Sequence, residues 1–224
     1  PNAVTLPQHF MAAGYRVARG ATNFHGVFNE LASWEQHLKQ PGDPKPEKMP
    51  VNGIPGTSHF DWGPVKQADD AMGDYQVVSW AEKFLAEKQD KPFFLAVGMY
   101  RPHTPYVAPK AYFDRYPVEP INVPIVPDGY LENLPAGARK SLTRKRDQLN
   151  LPKETARQAI QAYYASISFV DAQLGRILDA LEATGLAENT NVVLTSDRGY
   201  HMGEHGHYQK TTPFEDAARA PLLI

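Results

Sequence analysis

The spacing of apolar residues divides the chain into helix-like and strand-like stretches separated by proline-rich segments. From Thr5 to Gly14, a capping hydroxyl, Pro7 in the first turn, apolar Leu6, Phe10 and Met11 at helical spacing, and a glycine stop predict a short helix. Pro41 to Pro64 clusters prolines and glycines without either period, which predicts a long irregular excursion of the kind that often carries function. Asp74 to Lys88 predicts an amphipathic helix whose broad apolar stripe is Val77, Val78, Trp80, Ala81, Phe84 and Leu85. The unbroken apolar run Pro92 to Met99 has strand length and predicts a strand buried on both faces.

Arg101 to Pro135 is rich in proline and aromatic residues without a period, and is expected to be a surface connection. The clearest helix follows: Ile160, Tyr163, Ile167, Val170, Leu174, Ile177, Leu178 and Leu181 advance mostly by threes and fours, and Gly185 supplies a left-handed stop. Asn191 to Ser196 is expected to be a second short buried strand, and Ala220 to Ile224 to open a core strand. Helix followed by buried strand is the rhythm of an α/β protein.

Composition narrows the function classes. With 224 residues, 42% of them hydrophobic, the chain can bury a sizeable core as one large domain or part of one. A formal net charge of -2, and one short basic cluster at Arg139-Lys140 and Arg144 to Arg146, argue against a nucleic-acid footprint or an electrostatic membrane anchor. A small-molecule partner is expected instead. The absence of cysteine excludes disulfides, thiolate metal sites and a cysteine nucleophile within these residues. No apolar run reaches the roughly 18 residues of a membrane span, and both ends read like interior sequence, so the chain is expected to be an internal piece.

In an open parallel sheet, ligands bind where the carboxyl ends of strands release their loops. The two predicted strands exit into Tyr100-Arg-Pro-His-Thr-Pro-Tyr106 and Ser196-Asp-Arg-Gly-Tyr-His201. Were they parallel neighbours, Arg101, His103, Asp197 and the histidines that follow would share one rim. A strand-end carboxylate can bind a hard divalent cation, while Lys, Arg and His neutralise an oxyanion and protonate a leaving group. Hydrolysis of a phosphate or sulfate ester needs that combination. Read singly, Asp197 before Gly199 also suits a turn aspartate, His103 between two prolines a packed loop residue, and Lys210 a solvated one. His201, His205 and His207 lack the helical two-histidine spacing of a metalloprotease, and the glycines among them indicate a loop rather than a zinc site.

The order of these segments resembles the sulfatase family, and within it the iduronate-2-sulfatase-like branch. Thr5 to Phe10 with Gly14-Tyr-Arg resembles the family's helix and Gly-Tyr turn, leading to a Gly-Lys-x-x-His element that ends here at His25. Arg101-Pro-His-Thr-Pro-Tyr106 resembles its Lys/Arg-Pro-His-x-Pro motif, and Tyr164 to Asp197 its long helix and following strand. Thr195 to Lys210, continuing through Phe214 to Leu222, resembles its second metal-and-sulfate segment.

The resemblance implies an alkaline-phosphatase-like α/β fold, with a mostly parallel central sheet flanked by helices and incomplete at both ends. Residues 1–224 would form part of the catalytic domain. It also implies a formylglycine nucleophile, made in a Cys/Ser-x-Pro-x-Arg motif, and a calcium ion. By position, Asp197 would be a calcium ligand, His103 and Lys210 would contact the sulfate or leaving-group oxygen, Arg101 would join them in substrate binding, and His25 would support the nucleophile. Glu204 lies in the same segment. The substrate class implied is a small-molecule or carbohydrate sulfate ester, and the compartment is periplasmic, secreted or lysosomal.

Three departures follow. The Cys/Ser-x-Pro-x-Arg motif is absent, as are the paired aspartates expected before it, so the nucleophile lies outside this chain and the chain alone is expected to be inactive. Thr22 stands where the lysine of Gly-Lys-x-x-His is expected. Arg198 follows Asp197 where His or Asn is usual, and a guanidinium cannot coordinate calcium. Two other functions share these residues: a phosphodiesterase or phosphonate hydrolase of the same superfamily, and a non-catalytic binder of anionic glycans using Arg101, His103, Arg198 and Lys210. Oligomeric state is not addressed by the sequence.

Overall fold

A computed structural model describes residues 3–21, 31–54 and 59–224. His25 and Thr22 therefore lie outside the described residues. The chain divides into two compact units: residues 1–45, 65–103 and 166–190 form the first, and residues 46–64, 104–165 and 191–224 the second.

The first unit is built on a parallel sheet. Helix α1 (Leu6–Ala12) starts where Thr5 and Gln8 form a reciprocal capping box, and Gly14 leaves it at φ +85°. Strand β1 (Arg16–Ala21) follows as the middle strand, between β2 (Gln36–Leu38) and β4 (Phe93–Gly98), and both pairings are parallel. The register sets Ala18 opposite both Gln36 and Leu95. Helix α2 (Gly73–Ala86) packs its predicted stripe here: Val78, Phe84 and Leu85 meet Ala18 together with Ile177 and Leu181. Gly20 is required beneath this helix, because a Cβ would come within 2.9 Å of Val77 and 3.2 Å of the Trp80 ring.

Two expectations need correction in this unit. The run Phe93 to Gly98 is a strand, but every residue in it is half-buried rather than buried on both faces. The middle strand β1 was not predicted at all, because Arg16-Val-Ala-Arg-Gly-Ala has no apolar alternation and its two arginines mimic a surface turn. Arg16 stays at the rim, its guanidinium 4.2 Å over the Phe84 ring, and Arg19 is buried with its guanidinium 5.6 Å over Trp34.

The second unit has an aromatic core. Strand β3 (Trp62–Val65) pairs with β5 (Tyr106–Pro109), whose four residues are all buried. The short helix α3 (Lys110–Phe113) follows β5 directly. This corrects the expected surface connection from Arg101 to Pro135: its prolines bracket a buried strand instead of excluding one. Tyr106 stands against Tyr163 and Tyr200 at centroid distances of 5.4 and 6.1 Å, and those two rings stack at 5.6 Å. Helix α4 (Ala136–Leu142) buries Leu142, and the long helix α5 (Lys153–Ala183) ends before Gly185, which takes φ +70°.

Strand β6 (Leu194–Thr195) corrects the second expected buried strand. It is two residues long, exposed, and pairs antiparallel with β7 (Leu222–Leu223) after helix α6 (Glu215–Ala218). Val192, Val193, Leu222, Leu223 and Ile224 are all exposed. The partner of β4 is β1, so the two predicted strands are not neighbours in one described sheet. An apolar run reports the tendency to be buried but not which strand supplies the cover. Among the described residues, no helix is long and apolar enough to cross a membrane.

Candidate functional site

The first candidate loop leaves β4 at Tyr100. Asp74, fully buried at the start of α2, accepts the backbone N–H groups of Tyr100 at 2.8 Å and Arg101 at 2.9 Å. Burial pushes the Asp74 carboxyl above its usual range, opposed by those two hydrogen bonds. The Arg101 guanidinium then turns into the protein. Its Nε donates to Asp43 at 3.0 Å, Nη2 pairs with the same carboxylate, and Nη1 donates to the His103 carbonyl at 2.7 Å. Asp43 also accepts the Gly73 N–H at 2.7 Å, which ties the loop to the first turn of α2. Arg101 thus acts as a brace that fixes the backbone of His103. The His103 ring is half-buried and lies 4.8 Å from Tyr100.

The second candidate loop follows β6. Asp197 is strongly exposed, with 85% of its side chain accessible, and the Arg198 Nε lies 3.8 Å from its carboxylate. The Arg198 guanidinium is folded back further: Nη1 donates to the Gly199 carbonyl at 3.2 Å, and the group lies 5.6 Å over the Tyr200 ring. Gly199 has no room for a side chain, since a Cβ would sit 2.0 Å from the Asp216 carbonyl. Its N–H donates to Ala217 at 3.0 Å, which holds this turn against α6.

From His201 the chain makes a tight excursion that returns at Gln209. The His201 N–H donates to the Gln209 carbonyl at 3.0 Å, and the Gly203 N–H to His207 at 2.9 Å. Glu204 accepts the Met202 N–H at 2.6 Å and so serves the loop's own geometry. The segment 148–150 clamps the excursion through Asn150 N–H to Gly206 at 2.7 Å and Tyr208 N–H to Gln148 at 3.0 Å.

Lys210 emerges half-buried from this clamp, and its amine makes no hydrogen bond among the described residues. Burial lowers its pKa to about 8, with Arg198 adding to the effect, Asp197 opposing it and Lys145 contributing further. A lysine held this way gives up its proton more readily than a solvated one, and its amine has no hydrogen-bond acceptor among the described residues. Both properties suit contact with an anionic oxygen.

Sequence reasoning selected the ends of these networks and missed their supports. Asp43 and Asp74 lie in or beside segments that read as irregular or amphipathic, and nothing in their spacing pointed to Arg101. Asp216 belonged to a matched string without an assigned role, yet its carboxylate lies 3.2 Å from His205 Nε2 and 3.8 Å from His201 Nδ1.

Calcium would be poorly served by the described residues alone. It takes six to eight oxygen ligands, and Asp197 is one exposed carboxylate with a guanidinium beside it. It can supply an oxygen; the remaining ligands are not among the residues described around it.

The first unit is a parallel α/β unit whose strand-end loop carries a braced histidine, and the second unit carries a carboxylate and, on its clamped loop, a lysine amine with no hydrogen bond among the described residues. The family model for sulfatases matches residues 2–224, and the chain belongs to the sulfatase family. It is 35% identical over 99% of its length to a sulfatase of Formosa agariphila and 32% identical over its whole length to iduronate 2-sulfatase of Mus musculus. Those matches cover 46% and 45% of the relatives, so the chain spans about half their length. Among solved structures, the phosphonate monoester hydrolase of Agrobacterium radiobacter matches 97% of this chain and 51% of its own, with a TM-score of 0.67 at 21% identity. That likeness shows the alkaline-phosphatase-like fold alone.

Proposed function

We propose that this chain is part of a sulfatase that hydrolyses sulfate esters of carbohydrates. His103 and Lys210 contact the sulfate or leaving-group oxygen, and His25 supports the nucleophile. Asp197 contributes one oxygen to a calcium ion, which polarises the ester when bound. The nucleophile is a formylglycine from a segment outside this chain, so the 224-residue chain alone turns over no substrate. The family resemblance supports a periplasmic, secreted or lysosomal compartment.

The observation that carries this reading is Lys210, half-buried and lacking a hydrogen-bond partner for its amine among the described residues, thirteen positions after a solvent-facing Asp197. Support for a sugar substrate comes from the match with iduronate 2-sulfatase. Support for the phosphonate reading is the fold shared with the phosphonate monoester hydrolase. The Arg198 guanidinium beside Asp197 favours a non-catalytic glycan binder as a further alternative, because it occupies charge that a cation would otherwise neutralise.

The test is release of sulfate from aryl and glycosaminoglycan sulfates by a longer protein that carries the Cys/Ser-x-Pro-x-Arg segment, against phosphonate monoesters as competitors. Sulfate release that falls by at least about 100-fold in Lys210→Ala is expected, given the size of a lost oxyanion contact. Turnover of phosphonates but not sulfates overturns the reading, and so does aryl sulfate turnover by the 224-residue chain at comparable rates.

A further inference from the structure

Three side chains that the sulfate chemistry does not use converge beside the clamped loop. His201 Nδ1, His205 Nε2 and an Asp216 carboxylate oxygen lie within 4.8 Å of one another. His201 is fully buried and its Nδ1 has no hydrogen-bond partner among the described residues. Its other ring nitrogen is hydrogen-bonded to the Thr212 hydroxyl at 2.7 Å. His205 has the same arrangement turned round: Nε2 faces Asp216, while Nδ1 is hydrogen-bonded to the Tyr130 hydroxyl. A histidine that ligates a metal through one nitrogen is held in tautomer and ring orientation by a hydrogen bond on the other, and both rings here have that second bond in place.

The backbone supports the same reading. His205 sits at φ 58°, a left-handed conformation that a non-glycine residue adopts at a cost, and its ring is wedged 4.2 Å from Phe214 and 5.5 Å from Tyr130. Burial lowers the His201 pKa and so favours the neutral form, which offers a lone pair, with the Asp216 charge acting against it. Ligand atoms around a tetrahedral zinc stand about 3.4 Å apart, from bonds of about 2.0–2.1 Å. Asp216 already stands 3.2 Å from His205 Nε2 and 3.8 Å from His201 Nδ1, so closing the set to this spacing needs a shift of no more than about 1.4 Å, from a limit of 4.8 Å between any two ligand atoms.

We propose that His201, His205 and Asp216 form a binding site for a zinc-type transition metal. Two imidazoles and one carboxylate favour zinc over calcium, which prefers an all-oxygen shell. The ion ties the excursion from His201 to Gln209 to helix α6, and with it the base of the segment that carries Lys210. Asp216 and His205 are partly exposed, which leaves the fourth position to water.

Calorimetric titration of the chain with zinc(II), in calcium excess, tests the site, with cobalt(II) absorption reporting nitrogen coordination. One zinc per chain is expected. Asp216→Asn and His205→Gln should each weaken binding by more than the roughly 10–100-fold that an outer-shell loss costs, and Tyr130→Phe should fall within that range. Asp197→Asn should leave zinc binding unchanged. Circular dichroism of each variant separates ligand loss from unfolding, which is why the buried His201 is left intact. Absence of zinc binding by the folded wild type overturns the proposal, and so does binding that survives both Asp216→Asn and His205→Gln. The first result would leave a metal-free His–Asp hydrogen-bond cluster, the second an adventitious surface ion.

Discussion

Replacing Asp43 by alanine removes the carboxylate that the Arg101 guanidinium depends on. The two side chains are 3% and 10% accessible, so solvent can compensate little of the charge left behind. Deleting one partner of a buried ion pair costs about 3–5 kcal/mol, and the Gly73 N–H at the start of α2 loses its acceptor as well. For a chain of this size, each kcal/mol moves the melting temperature by about 2–4 °C, so a fall of about 6–20 °C is expected. Urea unfolding followed by tryptophan fluorescence measures the loss, and the double variant Asp43→Ala/Arg101→Met supplies the control. If the cost comes from a buried cation that has lost its Asp43 counter-charge, the double variant should recover most of it, because an apolar side chain of similar volume needs no counter-charge. The loss should also be insensitive to salt, which screens exposed pairs and not buried ones. A cost below about 1 kcal/mol, or a double variant less stable than the single one, would refute the reasoning.

Gly199→Ala should destabilise the turn after Asp197 by about 1–3 kcal/mol, because its Cβ would meet two backbone carbonyls of the α6 region that cannot swing aside; thermal melts read this directly. Asp61 accepts the N–H groups of Val51 at 3.0 Å and Asn52 at 2.9 Å while itself only 1% exposed. Asp61→Ala should therefore cost about 1–3 kcal/mol and accelerate hydrogen exchange at those two amides, and unchanged exchange would contradict it. Lys210 carries its charge below about pH 8 and loses it above, so kcat/KM of the longer active protein should fall as pH rises through about 8. Lys210→Arg keeps the charge at all working pH values and should remove that alkaline limb; a limb that persists assigns it to another group.

The sequence legibly set the local elements. Thr5, Pro7 and Gly14 bounded α1, the stripe from Val77 to Leu85 marked α2, and the threes and fours up to Leu181 marked α5, because each depends on residues one turn apart. The motif order from Thr5 to Leu222 was also enough to identify the family, since spacing along a chain survives without knowledge of contacts. Tertiary structure decided the rest. The middle strand β1 carries two arginines and no apolar alternation in sequence, and it is buried only because α2 and two parallel partners close over it. Asn191 to Ser196 is apolar in sequence yet exposed, because burial requires a covering surface that a run of valines cannot specify. Arg101 looked like a ligand for an anion, and the Asp43 that holds it comes from 58 positions away. His201 and His205 did not look like a metal pair, because the third candidate ligand, Asp216, reaches them only through the return of the chain in α6. Electrostatic partnership depends on separation in space, and periodicity reports only separation along the chain.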